Sequence, residues 1–220
     1  MNDIIIYGAG GLGMEISWLI DKINKHQKIW NLVGHIDDYV APGTAINNSF
    51  VIGDFQWLLD KKCYKNIVVA VANPVIKKKL IKSLAILGYT FPNIIHPSVL
   101  ISELSKIGSG CVILDLVNIS THVYIGNHVL IDLKTTIGHE STISDYTSIF
   151  PGAIISGNVN ISEEVIIGAG AIILQNINVG KKSIVGAGAV VTKDVSESSI
   201  AIGVPAREKS IDMEMMNHDK

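Results

Sequence analysis

The sequence predicts an α/β fold in two parts. A half-sized Rossmann-like domain covers residues 1–92, a parallel β-helix covers 93–205, and 206–220 form a C-terminal tail. Three observations carry this. An Ile or Val recurs every six residues from Ile95 to Val191, at seventeen positions without a break. Strand-like and helix-like segments alternate over the first ninety or so residues, where no such repeat occurs. The run GAGGLG, residues 8–13, sits between the first apolar strand and the first helical stretch.

The N-terminal elements follow in order. Residues 3–7 are a short apolar strand, and a helix-period stretch runs from the glycine turn to about Asn24. Residues 31–36 form a second strand ending in Asp37 and Asp38. Residues 55–61 read as helix, 66–71 as a third strand and 74–87 as a third helix, which together imply a small parallel sheet. Gly8, Gly10 and Gly13 fit G-x-G-x-x-G after a strand and before a helix. Such a turn brings backbone N–H groups and a helix start close to an anionic ligand. The spacing does not distinguish a dinucleotide from a nucleotide-sugar, and a merely tight turn is the plain alternative.

A period of six fits neither a helix at 3.6 nor a heptad, but it fits short strands separated by tight bends. Side chains alternate along a strand, so each anchor and the residue two before it point the same way, into a narrow interior. The paired positions are small or β-branched: Val99, Ser105, Cys111, Val117, Val123 and so on to Val195. Gly, Asn, Asp and Lys recur at the corners, where positive φ or a sharp bend is needed. Every anchor is expected in the core.

Composition excludes several classes. Hydrophobic residues make up 48% and charged residues 17%, with a formal net charge of -2, so neither global disorder nor a nucleic-acid platform is expected. Cys63 and Cys111 make no disulfide framework. The longest apolar run, 165–174, is too short to span a bilayer, and the N-terminus lacks the features of a signal peptide. The expectation is a soluble cytoplasmic protein without a metal cluster.

Taken in order, IIIYGAGGLG, HIDD, VAVANP, IIHPSVLIS, IGHEST, ISGNVNI, VGAGAVVTKDV and AIGVPAR cover nearly the whole chain. They resemble the hexapeptide-repeat sugar acetyltransferases, the bacterial nucleotide-amino-sugar N-acetyltransferase and sialic acid O-acetyltransferase group. The resemblance implies a left-handed β-helix with three hexads per coil, a homotrimer, and acetyl-CoA as co-substrate in a groove between adjacent β-helices. It places the acceptor at Gly10, Gly11, Leu12, Gly13, Asp37, Asp38, Ala72 and Asn73, and the coenzyme at Ser148, Gly157, Ala169 and Ala187. Leu12 stands where the family usually has a histidine, and Ala72 where a glycine is common.

Seven histidines compete for a catalytic role: His26, His35, His96, His122, His128, His139 and His218. His122, His128 and His139 fall at outward corners, and geometry alone leaves the choice open. Glu140 follows His139 and suits an imidazole partner. At eighteen residues per coil, Gly157 lies one rung from His139 and His122 one rung from Glu140. Gly157 leaves space for a thioester carbonyl and offers a backbone N–H to an oxyanion. The match to IGHE then implies His139 as base and Glu140 as its orienting carboxylate. The expected activity is N-acetylation of a nucleotide-linked amino sugar. Sialic acid O-acetylation is the alternative, with a nucleotide-dependent oxidoreductase or a non-catalytic solenoid further off.

Overall fold

A computed structural model describes residues 1–60 and 64–210. Lys61, Cys63, His218 and the tail from 211 onward lie outside the described residues.

The N-terminal sheet contains β1 (Asn2–Tyr7), β2 (Trp30–Ile36), β3 (Ala45–Ile46), β4 (Ser49–Gly53) and β5 (Asn66–Val69), in the order β3-β4-β2-β1-β5. Helices α1 (Gly11–His26) and α2 (Phe55–Asp60) connect its strands, and α3 (Pro74–Ile86) leads from β5 to the second half of the chain. β1, β2, β4 and β5 pair in parallel, and β3 closes the edge as an antiparallel hairpin with β4. Sequence reading missed that hairpin, because β3 has only two residues and Asn47 and Asn48 look like plain loop. The third strand ends at Val69 rather than Val71, where the chain turns toward the Asn73 cap of α3. α1 continues two residues past Asn24, to His26.

From Ile94 onward the chain forms two-residue strands at six-residue spacing, stacked on three faces. Parallel partners are eighteen residues apart, as in Ile131 with Ile149 and Ile149 with Ile167. The anchors from Ile113 to Val191 line the interior and are at most 1% exposed. Ile101 is 36% exposed, and Ile95 and Ile107 are only partly buried. These three belong to the first coil, which has no coil beneath it, so the expectation that every anchor is core fails there.

The corners are more uniform than their sequences. Every sixth residue from Gly110 to Gly188 has positive φ, including Leu116, His128, Glu140, Tyr146 and Glu164. A left-handed conformation costs a non-glycine residue roughly 1 kcal/mol. In return its N–H turns toward the preceding coil: Glu140 donates to Thr121 O at 3.0 Å and Asn158 to His139 O at 2.7 Å. The ladder bonds offset the local strain, so leucine, histidine, glutamate and tyrosine are tolerated at corners where Gly, Asn, Asp and Lys were expected.

The residue before each anchor points outward and differs by face. On the first face Ile94, Val112 and Leu130 are apolar and buried against Ile16, Leu19, Ile20 and Ile23 of α1. The N-terminal half therefore covers this face. On the third face the outward residues Lys106, Tyr124, Asn160 and Asn178 are exposed. The second face presents Leu100 and Ile154, 66% and 45% exposed. Beyond the last hexad, Arg207–Ser210 pairs antiparallel with Ser199–Ile202, so the segment assigned to a tail opens with a strand.

Candidate active site

His139 and Glu140 occupy the corner between the second and third faces, opposite the face covered by the N-terminal half. Left-handed backbone at Glu140 brings its carboxylate beside the preceding side chain, and Glu140 Oε2 lies 3.0 Å from His139 Nδ1. A carboxylate can only accept, so Nδ1 carries the proton and Nε2 keeps its lone pair. The His139 ring lies over the backbone of Gly157, where a Cβ would stand 2.5 Å from Nε2. The glycine is thus required by the ring above it. The Gly157 N–H has no hydrogen-bond partner among the described residues. The His139 side chain is 49% exposed, open to a reactant. This corner offers a proton acceptor, its orienting carboxylate and a free backbone donor together. His122 is exposed on the neighbouring rung, and no bond joins it to Glu140 among the described residues.

Other histidines are held differently. His128 sits between Phe91 and Tyr146, and burial pushes it down to about 4, so it is packed rather than free at its corner. His35 is fully buried; its Nδ1 faces Gly8 O at 3.0 Å and must donate, and burial lowers its pKa. His96 stacks on Trp18 and accepts from Ser98 N at 3.1 Å.

A second candidate site lies at the C-terminal edge of the N-terminal sheet, where open α/β sheets bind ligands. A cavity of about 510 Å³ is lined by Gly8 and Gly10 of the turn, by Tyr7, Asp37 and Asp38, and by Lys79 on α3. Gly8 has φ +119°, and a Cβ there would meet Ala70 O at 2.8 Å. At Gly13 a Cβ would come within 2.3 Å of Gly8 O, so these two glycines are needed to close the turn. Gly10 and Gly11 face open space instead, with nothing within 4 Å of a Cβ. They leave the α1 N-terminus bare for an incoming group.

Asp37 and Asp38 line the cavity but are already engaged. Asp37 accepts from Ala9 N at 2.8 Å and from Tyr39 N and Val40 N. Asp38 accepts from the Tyr7 hydroxyl at 2.5 Å and from Phe55 N at 2.9 Å. They tie the turn and the loop after β2 together, and a ligand would use only their remaining lone pairs. Burial and Asp38 together raise the Tyr7 phenol well above its ordinary range.

Several expected positions need correction. Asn73 accepts from Val75 N and Ile76 N, so its oxygen caps α3 and is not free for a ligand. Leu12 and Ala72 are partly buried and pack against the apolar cluster under α1. Ser148 is fully buried; its hydroxyl donates to Ala72 O at 2.7 Å and accepts from Lys77 Nζ at 3.0 Å. It joins the two halves and offers no surface to a coenzyme. Ala169 and Ala187 are exposed and stacked, with Gly188 N donating to Ala169 O, on the corner between the first and second faces. Cys111 is buried inside the coil as expected, and burial pushes its thiol up to about 11.

Sequence reading missed Tyr7, Tyr39, Phe55 and the cavity side of α3. Tyr7 ends the first strand and was findable from its place beside the turn. Ile76, Lys79, Leu80 and Ser83 share one helix face, but only packing shows that this face meets the cavity.

Known proteins resemble the chain over most of its length. Residues 3–84 match the model of the PglD N-terminal domain. The chain is 33% identical over 165 residues to a GDP-perosamine N-acetyltransferase of Escherichia coli O157:H7, covering 74% of each. A histidine-to-asparagine mutant of perosamine N-acetyltransferase from Caulobacter crescentus, solved with CoA and GDP-perosamine, superposes with a TM-score of 0.89 at 25% identity, covering 96% of this chain and 98% of that one. The acetyltransferase domain of PglB from Neisseria gonorrhoeae FA1090 gives 0.86 at 29% identity, covering 95% and 100%. The chain therefore belongs to the hexapeptide-repeat sugar acetyltransferases, in the nucleotide-amino-sugar N-acetyltransferase group of left-handed β-helix proteins.

Proposed function

We propose that the protein transfers an acetyl group from acetyl-CoA to the amino group of a GDP-linked amino-deoxy sugar, for glycan biosynthesis. The observation that carries this is the His139–Glu140 pair over Gly157 in a chain whose relatives are GDP-perosamine N-acetyltransferases. The nucleotide occupies the cavity beside the glycine turn. Bare N–H groups at the α1 N-terminus suit its phosphates, and Lys79 lines the same cavity.

His139 Nε2 accepts a proton as the sugar amine attacks the thioester carbonyl. The C–N bond forms, the Gly157 N–H holds the developing oxyanion, and the C–S bond then breaks. CoA leaves as the thiolate and takes up the proton. Glu140 keeps Nδ1 protonated and stabilises the imidazolium.

A homotrimer completes the site. In one chain the acceptor cavity lies beside the first face, whereas His139 stands on the corner opposite it. The coenzyme corner at Ala169 and Ala187 is a third place, one face away from His139. Adjacent copies packed side by side bring such elements together, with the exposed apolar residues of the second face available for burial.

The test is a CoA-release assay across GDP-, UDP-, dTDP- and CMP-linked amino sugars and free sialic acid, with the mass measured in solution. A GDP-amino sugar acetylated on nitrogen by a trimer is the expected result. Efficient acetylation of free sialic acid, with no nucleotide bound at millimolar concentration, would replace it by the O-acetyltransferase reading. A fully active monomer would remove the shared site.

A further inference from the structure

α3 is a wall shared by both halves. Ile76, Lys79, Leu80 and Ser83 on one side line the acceptor cavity. On the other side Lys77 is 4% exposed and enters the contact with the β-helix. Its Nζ lies 3.0 Å from Ser148 Oγ and 3.5 Å from Thr147 O. The Ser148 hydroxyl in turn donates to Ala72 O at 2.7 Å. Ala72 lies between Ala70 and Val71, which line the cavity, and Asn73, which caps α3. A continuous polar chain therefore runs from α3 through the β-helix strand to the loop at the cavity wall.

We propose that Lys77 is a positioning residue for the acceptor: with Ser148 it fixes residues 70–73, one wall of the nucleotide cavity, against the β-helix. This rests on the reading of that cavity as the nucleotide site. Packing alone does not call for a lysine here. A methionine or leucine would fill the space without desolvating an amine. No carboxylate pairs with Lys77 among the described residues; the titratable groups near it are the buried Cys111 thiol and His128. The neighbouring Lys78 reaches Glu164 and Tyr146 instead, so α3 already has an ionic anchor to the β-helix. What Lys77 adds is the link to Ala72. Burial pushes its amine down to about 7, which makes a neutral donor available near neutral pH.

Lys77→Met and Ser148→Ala, alone and combined, test this in the full chain. GDP and CoA binding are measured by calorimetry, steady-state kinetics with the amino-sugar acceptor, and amide exchange along residues 70–76. Each single variant is expected to raise the GDP Kd and acceptor KM about 5-fold, the effect of one lost hydrogen bond. CoA Kd and kcat stay within about twofold, exchange quickens in residues 70–76, and the double variant loses no more than either single one, as for members of one chain. Unchanged GDP binding with unchanged exchange would overturn the proposal. So would an equal loss of GDP and CoA binding with exchange rising throughout the β-helix, which is the signature of a packing residue. Should Lys77→Met not fold, Ser148→Ala decides alone. If wild-type protein binds no GDP but exchange in residues 70–76 still responds, the nucleotide reading fails and the positioning of the loop stands.

Discussion

Gly157→Ala isolates the placement of the His139 ring, the proposed base, without removing a side chain or the Gly157 N–H. A Cβ at this position would lie 2.5 Å from His139 Nε2 and 2.6 Å from Cε1, whereas ordinary contact begins at 3.4 Å. The ring must move by about 0.9 Å or rotate away. The three nearest atoms all belong to His139, so the ring takes the closest contacts. The ring is half exposed and can move into solvent. An off-rotamer side chain costs about 1 kcal/mol, which for a chain of this size lowers Tm by roughly 2–4 °C. A displacement near 1 Å at a reacting group lowers turnover by about 100-fold. The assay pairs kcat with a thermal melt and a solution mass. The expected result is a folded, wild-type assembly with kcat down about 100-fold, and no further loss when Gly157→Ala is added to His139→Ala. Near wild-type kcat, or full additivity in the double variant, would refute the account of Gly157 as the floor beneath the base.

Four more outcomes follow. His139→Ala should lower kcat by ~100-fold or more, the scale of a lost general base, while Tm holds; Glu140→Gln should give a smaller loss, since an amide can still accept from Nδ1 but does not stabilise the imidazolium. Gly11→Val should fold normally, because a Cβ there meets nothing within 4 Å, yet weaken GDP binding by occluding the turn; a calorimetric titration unchanged from wild type would displace the nucleotide from that turn. Stability should rise with pH above 7, by up to ~1.4 kcal/mol per unit, because Lys77 is neutral in the folded state above about 7 but stays protonated in the unfolded chain to about 10.4. The cleanest window is pH 7–8.5, above the titration of His128 and below that of Cys111 in either state; denaturant melts of Lys77→Met should lose this slope.

The unbroken hexad from Ile95 to Val191 determined the β-helix, because a strand has only two sides and a six-residue step returns the same side to the interior at every bend. The glycine turn was equally legible: Gly13 is required by closure against Gly8 O five residues before it and Gly8 by its positive φ, although the close approach of Ala70 to Gly8 comes from the adjacent strand's end. His139, Glu140 and Gly157 could be grouped because a fixed coil length converts eighteen residues into one rung. Tertiary structure decided what depends on the two halves meeting. Ser148 occupies an outward place, like any other, and only the packing of α3 buries it against Ala72 and Lys77. His128 has the corner position of a free histidine until Phe91 and Tyr146 enclose it. A short-period repeat states which way each side chain points, but not what lies there, because the covering surface comes from residues far away in sequence whose register the repeat does not constrain.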